Sequence, residues 1–164
     1  MAVHPQAIAK CLILIGAANG APLLAKQLLG DRFERPIDGG LVLADGRPLL
    51  GRSKTWRGLI CAILLTAAVA PLMGLPSRAG VLVAAAAMAG DCFSSFAKRR
   101  LGLERSSMST GLDQIPESLF PAIASGAYLD LGLLDIAAIV LTFFVGEIVF
   151  SRILFAIGLR DRPY

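Results

Sequence analysis

The chain has 164 residues, 55% of them hydrophobic and only 17% charged, with a mean hydropathy of +0.69. Soluble domains carry about 25% charged residues, so an evenly solvated surface is excluded, and the net charge of +4 comes from clustered groups. Three cysteines without CxxC or Cys/His spacing (Cys11, Cys61, Cys92) and one histidine (His4) argue against a zinc or thiol-redox site and against histidine catalysis. The cysteines read as small packing residues and His4 as an incidental interfacial residue.

About 20 apolar residues cross a bilayer, and five stretches approach that length. They are residues 8–29, 59–75, 79–96, 115–134 and 136–158. The first shows no short apolar core followed by a small-residue cleavage site, so it reads as a retained span. Only Pro76, Ser77 and Arg78 separate spans two and three, and spans four and five meet at Gly132 to Asp135, which predicts two tight helical hairpins. The expected architecture is all-α: a single polytopic membrane domain over 1–164, with five transmembrane helices and two long loops.

The cations test that map. Of the sixteen Lys and Arg, all but Lys10 and Arg78 fall in the two long loops or after the middle of span five. Cations concentrate on the cytoplasmic side of membrane proteins. The expected setting is therefore the inner (cell) membrane, with the N-terminus outside and both long loops and the C-terminus cytoplasmic. A cationic face of this kind also suits anionic partners at a membrane surface. Because the basic groups follow topology, nucleic-acid recognition has no support.

Candidate chemistry gathers around the end of span three, GDCFSSFAKRRLG, and the loop that leads to LDQ. An ionisable group within a span is costly and marks function by default, which singles out Asp91. If the helix continues, Asp91, Ser95 and Lys98 share one face. Asp113 follows a Gly- and Ser-rich loop (Gly102, Ser106, Ser107, Ser109, Gly111) that has room to bring it back towards Asp91. Two carboxylates beside Lys98, Arg99 and Arg100 suit a Mg²⁺–polyphosphate, since Mg²⁺ takes one or two carboxylates plus substrate phosphates. A second group, Lys54, Thr55 and Arg57, precedes span two. Its spacing is not that of a Walker A loop, and an interfacial anchor around Trp56 is the plain alternative. Asp38 and Asp45 sit in turn sequences of the first loop, with Asp38 a candidate third polar site residue. Asn19 and Pro22 in span one, and Glu147 in span five, are expected to face protein rather than lipid.

KTWRG at 54–58, Gly90–Asp91, SFAKRRLG at 95–102 and LDQ at 112–114, in that order, resemble the CDP-archaeol synthase family, related to the integral-membrane phosphatidate cytidylyltransferases. The resemblance extends to NGAP at 19–22, Asp38 and GLRDRPY at 158–164. It implies five transmembrane helices and Mg²⁺-dependent transfer of CMP from CTP to a membrane lipid phosphate, with release of pyrophosphate. It implies that Asp91 and Asp113 serve the metal and nucleotide phosphates. Lys98, Arg99, Arg100, Lys54 and Arg57 would grip CTP or the lipid phosphate, and Asn19, Thr55, Ser95 and Gln114 would add hydrogen bonds. Glu147 and Ser151 stand where the archaeal pattern has His and Asn, and LDQIPE at 112–117 looks like a bacterial branch. The acceptor is open between archaetidate, phosphatidate and another prenyl or alkyl phosphate. Two rivals remain at this point. A CDP-alcohol phosphatidyltransferase would carry a DGxxAR-type aspartate pattern, which is absent. A non-enzymatic transport or lipid-binding module would explain the spans but not the acids around KRR.

Overall fold

The computed structural model describes residues 3–103 and 111–156, and of 150, 151 and 153–156 the backbone alone. The serines at 106, 107 and 109, Arg105, and the terminal GLRDRPY lie outside the described residues.

Five α-helices follow one another: α1 Pro5–Leu29, α2 Trp56–Val69, α3 Ser77–Arg100, α4 Gln114–Leu129 and α5 Leu133–Ala156, with a 3₁₀ turn at Ala70–Met73 extending α2. Local sequence explains most of the ends. Pro5 starts α1, where its missing N–H costs nothing, and Gly30 stops it with φ +56. The Thr55 hydroxyl caps α2 by accepting from the Gly58 N–H at 3.2 Å. Gly74 closes the 3₁₀ turn in the left-handed region (φ +74), and α3 begins directly after Pro76. Each expected span is found as a helix, with its ends displaced by no more than five residues when the 3₁₀ turn is counted with α2. Among the described residues there is no strand, only the isolated bridges 36–55 and 42–48 in the first loop.

Three helical segments, Pro5–Leu29, Trp56–Met73 and Ser77–Arg100, are each long and apolar enough to cross a membrane. The protein is a membrane-embedded, multi-pass bundle. Consecutive helices pack side by side, and α1 also touches α3, α4 and α5. The face bearing the two long connections is called the loop face here, and the opposite face the turn face.

Two buried clusters fill the interior. The one towards the turn face combines Cys11, Leu14 and Ile15 with Val83, Ala122 and Ile139. The second is built almost wholly of alanine: Ala18, Ala21, Ala62, Ala84 and Ala87, with Met88. Small residues let helix backbones approach closely where lipid offers no hydrophobic drive. Two glycines of α3 take this furthest. A Cβ on Gly80 would lie 2.3 Å from the Thr66 carbonyl oxygen of α2, and one on Gly90 would lie 2.2 Å from the Pro116 carbonyl oxygen of α4.

His4 is not incidental. Its backbone N–H donates to Asp135 at 2.8 Å, and its Nδ1 lies 2.8 Å from the other Asp135 oxygen. Asp135 is fully buried and also accepts from the Gly132 N–H at 2.9 Å. One carboxylate thus serves the first turns of α1 and α5 together, which satisfies N–H groups that a helix start leaves open.

Candidate active site

The polar centre is assembled from four helices and the first loop. On α3, Asp91 and Lys98 are two turns apart on one face, about 10 Å along the axis. Lys54, at the end of the first loop, pairs with Asp91, and Lys98 pairs with Asp113 at 2.7 Å. All four side chains are mostly buried, at 12–22% exposure, so each ion pair sits in a partly dry setting where its field is strong.

Asp91 and Asp113 therefore each have a lysine partner. The carboxyl that hydrogen-bonds to Asp91 is that of Glu117, on the first turn of α4. The Asn19 amide of α1 donates to Glu117 at 3.5 Å, and Glu147 of α5 is near enough to act on the Glu117 charge. Asn19 and Glu147 face protein, as expected. Glu117 was missed by sequence reasoning. The signal available was an acid four residues after Asp113, hence on the same helical face. The backbone approach at Gly90 and Pro116 is what brings Asp91 and Glu117 into contact. Pro121 also leaves the Glu117 carbonyl without its usual donor one turn on.

Between the first loop and α3 lies a narrow cleft of about 30 Å³, lined by Pro22, Lys54, Thr55, Gly58, Asp91 and Cys92, among others. Beside it, on the outer side of α1 and α2, runs an open apolar groove of about 490 Å³, with Ala21, Leu24, Leu28, Cys61, Leu64 and Leu65 in its walls. The two share their helices: Ala21 and Pro22, neighbours on α1, line groove and cleft respectively.

Other candidate residues are engaged by the protein itself. Arg57 is buried and donates to the carbonyls of Gly30 and Arg32, both at 2.6 Å, which closes the carboxyl end of α1. Thr55 is the α2 cap. Gln114 is buried, and its side-chain oxygen accepts from the Gly111 N–H at 2.8 Å. Ser95 is buried on α3. Arg99 donates to the Leu103 carbonyl at 3.0 Å. Arg100 reaches Asp45 at 2.5 Å and the Pro48 carbonyl at 2.7 Å. Asp38 is the hub of the first loop, where it accepts from the N–H groups of Gly40, Leu50 and Gly51 at 2.9 to 3.0 Å. Partial burial pushes its carboxyl up, but those three N–H groups outweigh it and hold the net value below the usual one.

Against known proteins, residues 21–164 match the CarS-like CDP-archaeol synthase family. The chain belongs to that family. The CDP-archaeol synthase of Hyperthermus butylicus is 45% identical over 105 residues, 60% of either chain, and that of Natronomonas pharaonis is 33% identical over 160 residues, 79% of this chain and 85% of its own. A solved structure described as an intramembrane enzyme for archaeal membrane lipids biosynthesis superposes with a TM-score of 0.75 at 29% identity, covering 87% of this chain and 90% of that one. The match spans about 60% of the length of the Hyperthermus relative and 56% of that from Aeropyrum pernix.

Proposed function

We propose that this chain is a CTP-dependent cytidylyltransferase that moves CMP onto a membrane lipid phosphate and releases pyrophosphate. The observation that carries the reading is the pair of lysine–carboxylate contacts, Lys54–Asp91 and Lys98–Asp113, two turns apart along α3. They occur in a chain whose relatives are CDP-archaeol synthases. Two ammonium groups spaced along one wall suit two anionic groups, a nucleotide triphosphate and a lipid phosphate. The loop face, with its excess of cations, is the cytoplasmic face of the cell membrane in this reading, where CTP is at hand.

Magnesium fits the donor set. No group of three metal-binding side chains that would hold an ion alone occurs among the described residues, and Mg²⁺ needs only one or two carboxylates when phosphates complete its shell. Asp91 and Glu117 supply hard oxygens in contact with each other, an arrangement that calls for a proton or a cation between them. Asp113 stands by with Lys98 as a further carboxylate for the nucleotide end. When bound, Mg²⁺ neutralises charge on the phosphates.

The lipid phosphate is already an anion and needs no general base, in keeping with a site that contains no histidine. Its oxygen attacks the α-phosphorus of CTP, and the bond from that phosphorus to the pyrophosphate oxygen breaks. The protein's task is to hold two repelling anions in line. Lys54 and Lys98 offset that repulsion, and their carboxylate partners fix where each ammonium sits. Alignment of this kind is worth about 7–11 kcal/mol at best. The apolar groove on α1 and α2 offers the lipid chains a bed beside the cleft that receives the head group.

The test is a CMP-transfer assay on purified protein in liposomes, with CTP, Mg²⁺ and a panel including phosphatidate and unsaturated archaetidate. Formation of a CDP-lipid and pyrophosphate on one acceptor establishes both reaction and lipid. No transfer to any acceptor together with no Mg²⁺-dependent CTP binding would overturn the reading in favour of a non-enzymatic membrane module.

A further inference from the structure

The carboxyl end of α3 and the tip of the first loop hold each other by reciprocal arginines. From the loop, the Arg47 guanidinium donates to the carbonyls of Arg99 and Arg100, at 3.3 and 2.6 Å. These belong to the last turn of α3, whose carbonyls lack helical donors and where a cation is favoured by the helix dipole. From α3, the Arg100 guanidinium donates to the Asp45 carboxylate at 2.5 Å and to the carbonyls of Pro48 and Arg47, at 2.7 and 3.3 Å. Gly102 makes room: its φ is +72, and a Cβ there would lie 3.0 Å from an Arg47 nitrogen.

The clamped segment is a closed turn, with Leu43 N–H on the Arg47 carbonyl and Leu49 N–H on the Leu41 carbonyl, at 2.9 and 2.8 Å. It runs straight into Leu50 and Gly51, which Asp38 grips, and three residues later into Lys54. The first loop is thus fastened to α3 twice, at Asp91 through Lys54 and nine residues on at Arg100, about 13 Å apart along the helix. Lys98 lies between the two fastenings.

We propose that Arg100, with Asp45 and Arg47, is a positioning device that fixes the first loop on α3 and so sets the placement of Lys54 relative to Lys98; Arg100 is not a substrate ligand. This rests on the reading of Lys54 and Lys98 as the groups that meet the two phosphates. Asp45 is 42% exposed, and exposed ion pairs add little to overall stability. Breaking the clamp therefore loosens the loop without unfolding the bundle.

Asp45 gives the decisive variant, because its carboxylate meets Arg100 and does not line the cleft. If Arg100 served the substrate, Asp45→Ala would free its guanidinium and leave CMP transfer intact or improved. If the clamp positions the loop, Asp45→Ala and Arg100→Gln each lower kcat, with Arg100→Gln approaching a hundredfold, the cost of misplacement of about 1 Å. The KM for CTP changes little. The double variant is no worse than Arg100→Gln alone, the mark of a shared contact. Arg100→Lys, which keeps the charge but not the fork, recovers only part of the rate. Hydrogen exchange gives a readout independent of activity: the amides of Leu43 and Leu49 lose protection in the variants while those of α3 before Asp91 keep it. Wild-type rates with Asp45→Ala, additive effects, or unchanged loop protection would overturn the proposal. An inactive wild-type protein whose loop still loosens in the variants would instead count against the proposed reaction and uphold the clamp.

Discussion

The two halves of this bundle handle buried polar groups in opposite ways. Towards the turn face, the contacts of Asp135 and Cys11 are closed within the protein. Asp135 takes three donors from two helix starts, and the Cys11 thiol meets the Ser125 hydroxyl at 3.3 Å in a dry interior. Towards the loop face, charges are set against one another in lysine–carboxylate pairs that an anionic ligand and a cation would exchange for better partners. The same helix, α3, runs through both. What differs is whether the polar groups face a helix terminus, whose needs are fixed, or a cleft, whose occupant changes. In the first case the polar contact builds the fold, and in the second, on the proposed function, it prepares the site.

The largest expected effect comes from the cleft itself. Asp91→Asn, Asp113→Asn or Lys54→Met should each lower CMP transfer by about 10²- to 10³-fold, as loss of a charge-stabilising group commonly does, while the protein still elutes as a folded species in detergent. Retained transfer in Asp113→Asn would remove that residue from the site. The two α3 glycines sharpen the contrast at the next level. Gly80→Ala and Gly90→Ala both force a methyl into backbone and should each cost about 1–3 kcal/mol of stability, read as a fall in thermal midpoint. Only Gly90→Ala should also reduce kcat per folded molecule, because it moves Asp91 away from Glu117. Equal activity of the two variants would break the division between the halves.

On the turn side, Asp135→Ala strands the N–H groups of His4 and Gly132 and should cost about 1–3 kcal/mol with kcat and KM unchanged. The smallest effect is a pH effect in the first loop. The Asp38 carboxyl is held below its usual 3.8, so its contribution is present above that pH and is lost as pH falls through the lowered folded value. Protection of the Leu50 and Gly51 amides should fall in that acid range in the wild type, and Asp38→Asn should flatten the dependence.

The helices were legible because apolar runs and Pro and Gly punctuation are local signals, as was the turn at Asp38–Gly39–Gly40, whereas the cap at Thr55 came from the structure. The site was legible in its chemistry and less so in its pairing. Asp113 was expected to return towards Asp91, and the structure pairs it with Lys98; that Lys54 reaches Asp91, 37 residues away, depends on how α2 and α3 pack. No pattern in the sequence states that. Arg57 and Arg100 show the other limit. The resemblance implies that they grip CTP or the lipid phosphate, and in the structure helix ends draw on the same donors: Arg57 closes the end of α1, and Arg100 joins the end of α3 to the first loop. The resemblance named the family correctly; the backbone partners of these two cations come from the packing.

Helix α4 has only 16 residues, a rise of about 24 Å, against a hydrocarbon layer of about 30 Å. A span that falls short draws the membrane surface inward around it. Glu117 stands one turn into this helix, so a bilayer that thinned around α4 would bring lipid head groups closer to its carboxylate.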